Sequence, residues 1–176
     1  MTQPEFARPV RVDTIGTSAR GIQVQAGAEE RAALARRFNL SALARLEAQV
    51  EIQRAGDGLV ATGRLSATLV QSCVATAAPI PASITEEFTI SFRPEPDAAG
   101  GEEEVELGEA ELDVMFYDGA MIDLGEAVAQ TLALHLDPYP RAPDADDALK
   151  ATGVVDEEAA GPLGALAAAL KEKLGK

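Results

Sequence analysis

Cys73 and His135 are the single cysteine and the single histidine of this 176-residue chain, and together they could form a thiolate–imidazole nucleophile. A thiol becomes reactive when a base or cation beside it takes up its proton. Any chain with one of each offers the same pair, so the two residue types alone do not point to catalysis. Cys73 shares strand parity with Leu65 and Leu69, which predicts an inward residue that packs as a small hydrophobe. His135 lies eleven positions after Leu124, at the end of a predicted helix. A protonated ring there meets the negative end of the helix dipole, a structural role.

Metal chemistry needs more ligands than these. Zinc takes three or four Cys, His or carboxylate groups, and Cys73 with His135 cannot complete that set. The run Glu102, Glu103, Glu104 lacks the glycine and the alternating ligand spacing of a calcium loop. A lone cysteine also excludes an intrachain disulfide. There is no phosphate-binding GxxxxGK[ST], no GxGxxG after a strand and no GxSxG. No catalytic residue, cofactor or metal site is expected.

Charge carries the stronger signal. Lys and Arg number 15 against 29 Asp and Glu, a net charge of −14. Residues 1–54 hold eight arginines and six acids, net +2, and residues 55–85 are neutral. Residues 86–126 hold fourteen acids against Arg93 alone, net −13, and residues 127–176 are net −3. Such a stretch repels phosphate backbones and attracts basic partners. Glu86, Glu87, Glu102, Glu103, Glu104, Glu106, Glu109 and Glu111 are its candidate partner-binding residues. A merely solvated acidic face or loop is the plain alternative. A direct RNA contact would instead use the net-positive N-terminal part, with Arg31, Arg36 and Arg37 as its candidates.

The elements that must position these groups follow from periodicity. Val10 to Ile15 and Ile22 to Ala26 alternate as short strands. Residues 29–38 read as a helix, with Glu29 and Glu30 in its first turn, Arg36 and Arg37 in its last, and Asn39 as terminator. Leu46 to Arg54 and Leu59 to Val74 alternate on either side of Gly56-Asp57-Gly58, a strong hairpin signal. Pro79 and Pro81 are expected to break the pairing before a strand carrying Ile84, Phe88, Ile90 and Phe92. Residues 94–111 read as an exposed loop and Leu112 to Tyr117 as the last clear strand. Asp123 and Glu126 have capping-box spacing ahead of a helix with Leu124, Val128 and Leu132 on one stripe. Pro138 stops that helix.

This pattern predicts an α+β domain over residues 1–140. Its sheet is mainly antiparallel, curved and barrel-like, with about five to seven strands and helices near 29–38 and 123–136. An acidic Pro/Gly/Ala-rich linker is expected over 141–160 and a semi-detached amphipathic helix over 161–176. Leu163, Leu166, Leu170 and Leu174 form the stripe of that last helix. It either folds back on the domain or becomes ordered against a partner. MTQPEFARPV has no apolar signal core, and no run reaches the ~20 apolar residues of a membrane helix, so a cytoplasmic protein is expected.

Three segments in order carry a resemblance. They are Val70 to Phe92 with Cys73 and Glu86-Glu87-Phe88, Ile122 to Leu134 opening Ile122-Asp123-Leu124-Gly125-Glu126, and Leu136 to Pro143 containing Asp137-Pro138-Tyr139-Pro140-Arg141. Together they resemble the YceD family, the large ribosomal RNA subunit accumulation proteins, in its alphaproteobacterial form. The resemblance implies a non-enzymatic role in 23S ribosomal RNA accumulation and large-subunit biogenesis. The basic partners would then be ribosomal or assembly proteins, with ribosomal RNA contacted directly or indirectly. Many relatives carry cysteine pairs, some after the proline-rich stop in what looks like a zinc knuckle. Here Cys73 alone remains, and Ala142 and Pro143 stand where a cysteine-bearing segment would begin.

Overall fold

The computed structural model of the protein describes residues 4–95 and 113–154. The expected helix over 161–176 and most of the expected acidic loop lie outside them. The described residues fall into two compact units, 4–71 with 81–138 and 72–80 with 139–154.

The first unit is built on a long hairpin, β3 (Ala42–Ala55) and β4 (Gly58–Ser72), paired antiparallel from Ala42↔Val70 to Ala55↔Gly58. Its two-residue loop puts Gly56 at φ +60°, the left-handed region that a tight hairpin turn requires and glycine tolerates. Leu46, Ala48, Val50 and Ile52 face inward from β3, and Leu59, Ala61, Leu65, Ala67 and Leu69 from β4. An irregularity in register between Leu43 and Arg45 shifts the phase by one residue, so Leu43 is buried as well as Leu46.

Gly63 interrupts the inward row for a reason of space. A Cβ there would lie 2.5 Å from the Gln49 carbonyl oxygen and 2.7 Å from the Phe88 ring. Gly63→Ala is therefore expected to destabilise the protein by about 1–3 kcal/mol, the usual cost of overpacking. Urea unfolding checks this, and an unchanged midpoint would show that Phe88 does not lie over Gly63.

Five strands form the main sheet in the order β2 (Arg20–Gln25), β3, β4, β5 (Pro79–Pro94), β6 (Val114–Tyr117). β2 runs antiparallel to β3. Gly58 approaches Phe92 and Gly63 approaches Phe88, so β5 runs opposite to β4. β6 pairs with β5 in parallel, the one departure from antiparallel order. A separate antiparallel ribbon joins β1 (Pro9–Arg11) to β7 (Met121–Asp123).

Among the described residues the main sheet ends at β2 and β6 and is not closed, so the barrel-like form expected of it is not seen there. Closure would require β6 to pair with β2, whereas β6 spans four residues and, among the described residues, pairs with β5 alone. One core cluster gathers the inward residues of the sheet with Leu34 of α1 (Ala28–Arg37) and the Leu124, Val128, Leu132 stripe of α2 (Leu124–Leu134). The α+β expectation and both helices hold.

Three local expectations change. Pro79 and Pro81 lie inside β5 rather than ahead of it. Proline lacks the N–H that a ladder needs, so it fits a strand only on an unpaired flank. β6 covers β5 only from Ser91 to Pro94, which leaves one flank of the first half of β5 without a strand among the described residues. Val10 to Ile15 is not one strand, because β1 ends at Arg11 and Val12–Thr14 forms a 3-10 turn. The Thr14 hydroxyl, donating to the Arg11 carbonyl at 2.7 Å, favours that turn over extension. Within the stretch read as a linker, Ala145–Ala151 forms a short helix, α3, with Asp146 and Asp147 in its first turn and Lys150 in its last.

Asn39 ends α1 at φ 53°, as its terminator role requires. In the second unit a tight turn follows β4. The Cys73 N–H donates to Ala78 O and the Ala77 N–H to Cys73 O, both at 2.8 Å. The Val74 N–H reaches the Pro140 carbonyl at 2.9 Å, which ties this turn to the proline-rich segment.

Candidate functional site

The conspicuous Ile122-Asp123-Leu124-Gly125-Glu126 run forms the centre of a clasp over the N-terminal segment. Asp123 caps α2, its Oδ1 accepting from the Gly125 N–H at 2.9 Å and the Glu126 N–H at 3.2 Å. The same oxygen accepts the Arg8 N–H at 2.7 Å. Gly125 packs so closely that a Cβ would lie 2.1 Å from the Phe6 carbonyl oxygen. Phe6 itself is fully buried, at 0% exposure.

The capping box suggested by Asp123 and Glu126 is only half formed. Glu126 turns to α1 and takes the Arg37 guanidinium in a bidentate pair at 2.7 and 2.8 Å. Glu126 and, more weakly, Glu5 at 3.2 Å hold the Arg37 guanidinium above its ordinary value, and the Glu126 carboxyl is held below its own, chiefly by Arg37. Arg8 makes the matching pair with Glu30 at 2.7 and 2.9 Å, and Glu30 also accepts the Gly27 N–H at 2.6 Å. Every residue of the run therefore has a structural task. Phe6, Arg8 and Glu5 could not be read from the sequence as its partners, since Arg8 and Asp123 are 115 residues apart.

The candidate RNA-binding arginines are divided by these contacts. Arg37 is held by Glu126 and Glu5, and Arg31 donates to the Ala26 carbonyl at 2.7 Å. Arg36 is exposed and has no such partner among the described residues. The same holds across the N-terminal part. Arg11 pairs with Asp13, Arg45 with Glu47, and Arg54 donates to the Ile15 and Val12 carbonyls. Six of the eight arginines in residues 1–54 are thus held within the fold.

Of the candidate acids, the described residues hold Glu86 and Glu87. They are adjacent on β5 and so point to opposite faces of the sheet. Glu87 meets Arg64 at 2.5 Å on the solvent face, and Glu86 is exposed. Glu102, Glu103, Glu104, Glu106, Glu109 and Glu111 lie outside the described residues.

Cys73 is buried, at 3% exposure. Its sulfur accepts the Ala142 N–H at 3.3 Å, so the fold brings the cysteine to the start of the segment after the proline-rich stop. That N–H, the Thr76 hydroxyl and the Ala75 and Thr76 N–H groups lower the thiol to about 7 against the opposing effect of burial. His135 caps α2, with Nδ1 2.8 Å from the Thr131 carbonyl oxygen. Each group is explained by its own neighbours. Among the described residues no three His, Cys, Asp or Glu side chains gather as a metal would need.

The lowered thiol has a consequence for stability. A folded value near 7 lies below the ~8.5 of an unfolded thiol. The thiolate contribution is then fully present above the unfolded value and lost as pH falls through 7. The stability difference between the protein and its Cys73→Ala variant should grow from about pH 6 to about pH 9. Amide exchange of residues 73–78 reads it; a difference flat with pH would show that the N–H groups do not stabilise a thiolate.

The family model of the large ribosomal RNA subunit accumulation protein YceD matches residues 61–168, or 108 of the 176. No curated protein and no solved structure matches the chain.

Proposed function

The chain belongs to the YceD family of large ribosomal RNA subunit accumulation proteins, and we propose that it serves large-subunit biogenesis without catalysis, by holding basic proteins on its acidic surface. The partners would be basic ribosomal or assembly proteins, met in the cytoplasm before they reach 23S RNA. One observation carries this reading, the uneven distribution of the two charge signs along the chain. Six of the eight arginines of the N-terminal part pair with carboxylates or carbonyls of the same chain. The 86–126 stretch, by contrast, has fourteen acids and one arginine, too few bases of its own to neutralise it. A surface of that kind draws cationic partners and repels phosphate.

Affinity capture of the tagged protein from growing cells, divided into nuclease-treated and untreated halves, tests the proposal. Large-subunit proteins should remain after nuclease treatment. Recovery of those proteins only while 23S RNA is intact would overturn it in favour of direct RNA binding.

A further inference from the structure

Among the described residues β6 is an edge of the main sheet, and it lacks the devices that usually protect an edge strand. Natural edges carry lysine, proline or a bulge, or are covered. β6 reads Val114-Met115-Phe116-Tyr117, with no charge and no proline. The opposite edge, β2, alternates polar residues and opens with Arg20. Asp113 O accepts the Ser91 N–H at 2.8 Å and Tyr117 O accepts the Glu95 N–H at 3.0 Å. Odd-numbered residues of β6 therefore turn their backbone groups to β5, and Val114 and Phe116 turn theirs to the other flank, which no strand covers among the described residues.

Side chains extend this edge. Phe116 is 60% exposed and Leu134 of α2 is 74% exposed. Leu134 lines a cleft of about 140 Å³ with Ile90, Val114, Met115 and Ala127, beside the strand. The surrounding charge is acidic: Asp113 and Asp118 flank β6 and Glu95 closes its end, against Arg93 on the bonded side. An exposed apolar edge between acids fits one kind of occupant.

We propose that a basic, extended segment of a partner protein adds to β6 as a sixth strand of the main sheet. Main-chain bonds to Val114 and Phe116 supply the pairing, the cleft takes an apolar side chain, and the acids at either end select a cationic sequence. The cationic nature of the partner rests on the proposed function; the free edge does not depend on it.

Two short peptides, one alternating lysine with valine and one alternating glutamate with valine, serve as probes against the full-length protein at low salt. The lysine peptide should slow amide exchange at Val114 and Phe116 by about tenfold or more, and the glutamate peptide should not. Phe116→Pro removes an outward N–H and an exposed ring while leaving the β5 ladder intact, so it should abolish the effect without unfolding the sheet. Equal protection by both peptides, no protection by either, or protection already present in the free protein would each overturn the proposal. The last result would mean that the chain covers its own edge. Retained capture of ribosomal proteins by Phe116→Pro would reject β6 alone, whereas no capture by the unaltered protein would reject the proposed function alone.

Discussion

Gly125→Ala is expected to destabilise the protein by about 2–4 kcal/mol, although alanine is the better helix former by about 1 kcal/mol. The sign is the informative part. Gly125 sits in the first turn of α2, where propensity alone favours alanine. Its Cβ would meet backbone rather than a yielding side chain: Phe6 O at 2.1 Å, Phe6 C at 2.9 Å and Arg8 N at 3.0 Å. The N-terminal segment must then shift, which strains the burial of Phe6 and the Arg8 bond to Asp123. Phe6→Ala should cost about 3–5 kcal/mol by loss of the same packing. The double variant should cost less than the sum, since both changes release one segment. Urea midpoints for the three variants decide it. A neutral or stabilising Gly125→Ala would show that the clasp is not closed on α2.

The second large effect concerns partner binding. Changing Glu102, Glu103, Glu104, Glu106, Glu109 and Glu111 to Gln removes six charges, taking the 86–126 stretch from −13 to −7. Nuclease-resistant capture of large-subunit proteins should fall by about tenfold or more at low salt, and by less at physiological salt, where exposed charges are screened beyond ~8 Å. Urea unfolding of the same variant separates a binding effect from a loss of fold, since the described core and clasp are built from other residues. Capture unchanged by the six substitutions would place the contact elsewhere on the protein.

Much of the framework is legible in the sequence, because alternation and turn chemistry act over short distances. Gly56-Asp57-Gly58 announces the β3–β4 hairpin, and the parity of Leu59 to Leu69 announces its buried face. The stripe Leu124, Val128, Leu132 marks the inner side of α2 in the same way. Contacts between distant segments are less visible. Asp123 could be read as a cap, but not as a partner of Arg8, and Glu126 looked like the second half of a box until Arg37 claimed it. The proline pair misled because a proline rule holds for paired flanks, and the flank of β5 beside them carries no strand among the described residues. The contacts of the arginines are hidden from the sequence in a similar way. Net charge counts Arg31 and Arg37 as available, whereas folding assigns them to Ala26 and Glu126.

The most direct measurement compares the affinity of the purified protein for RNA-free large-subunit proteins with its affinity for protein-free 23S RNA, at low and at physiological salt. A role in holding basic partners predicts binding to the proteins that weakens steeply with salt, and little binding to the RNA at either concentration. Tight binding to the RNA, or protein binding indifferent to salt, would contradict it.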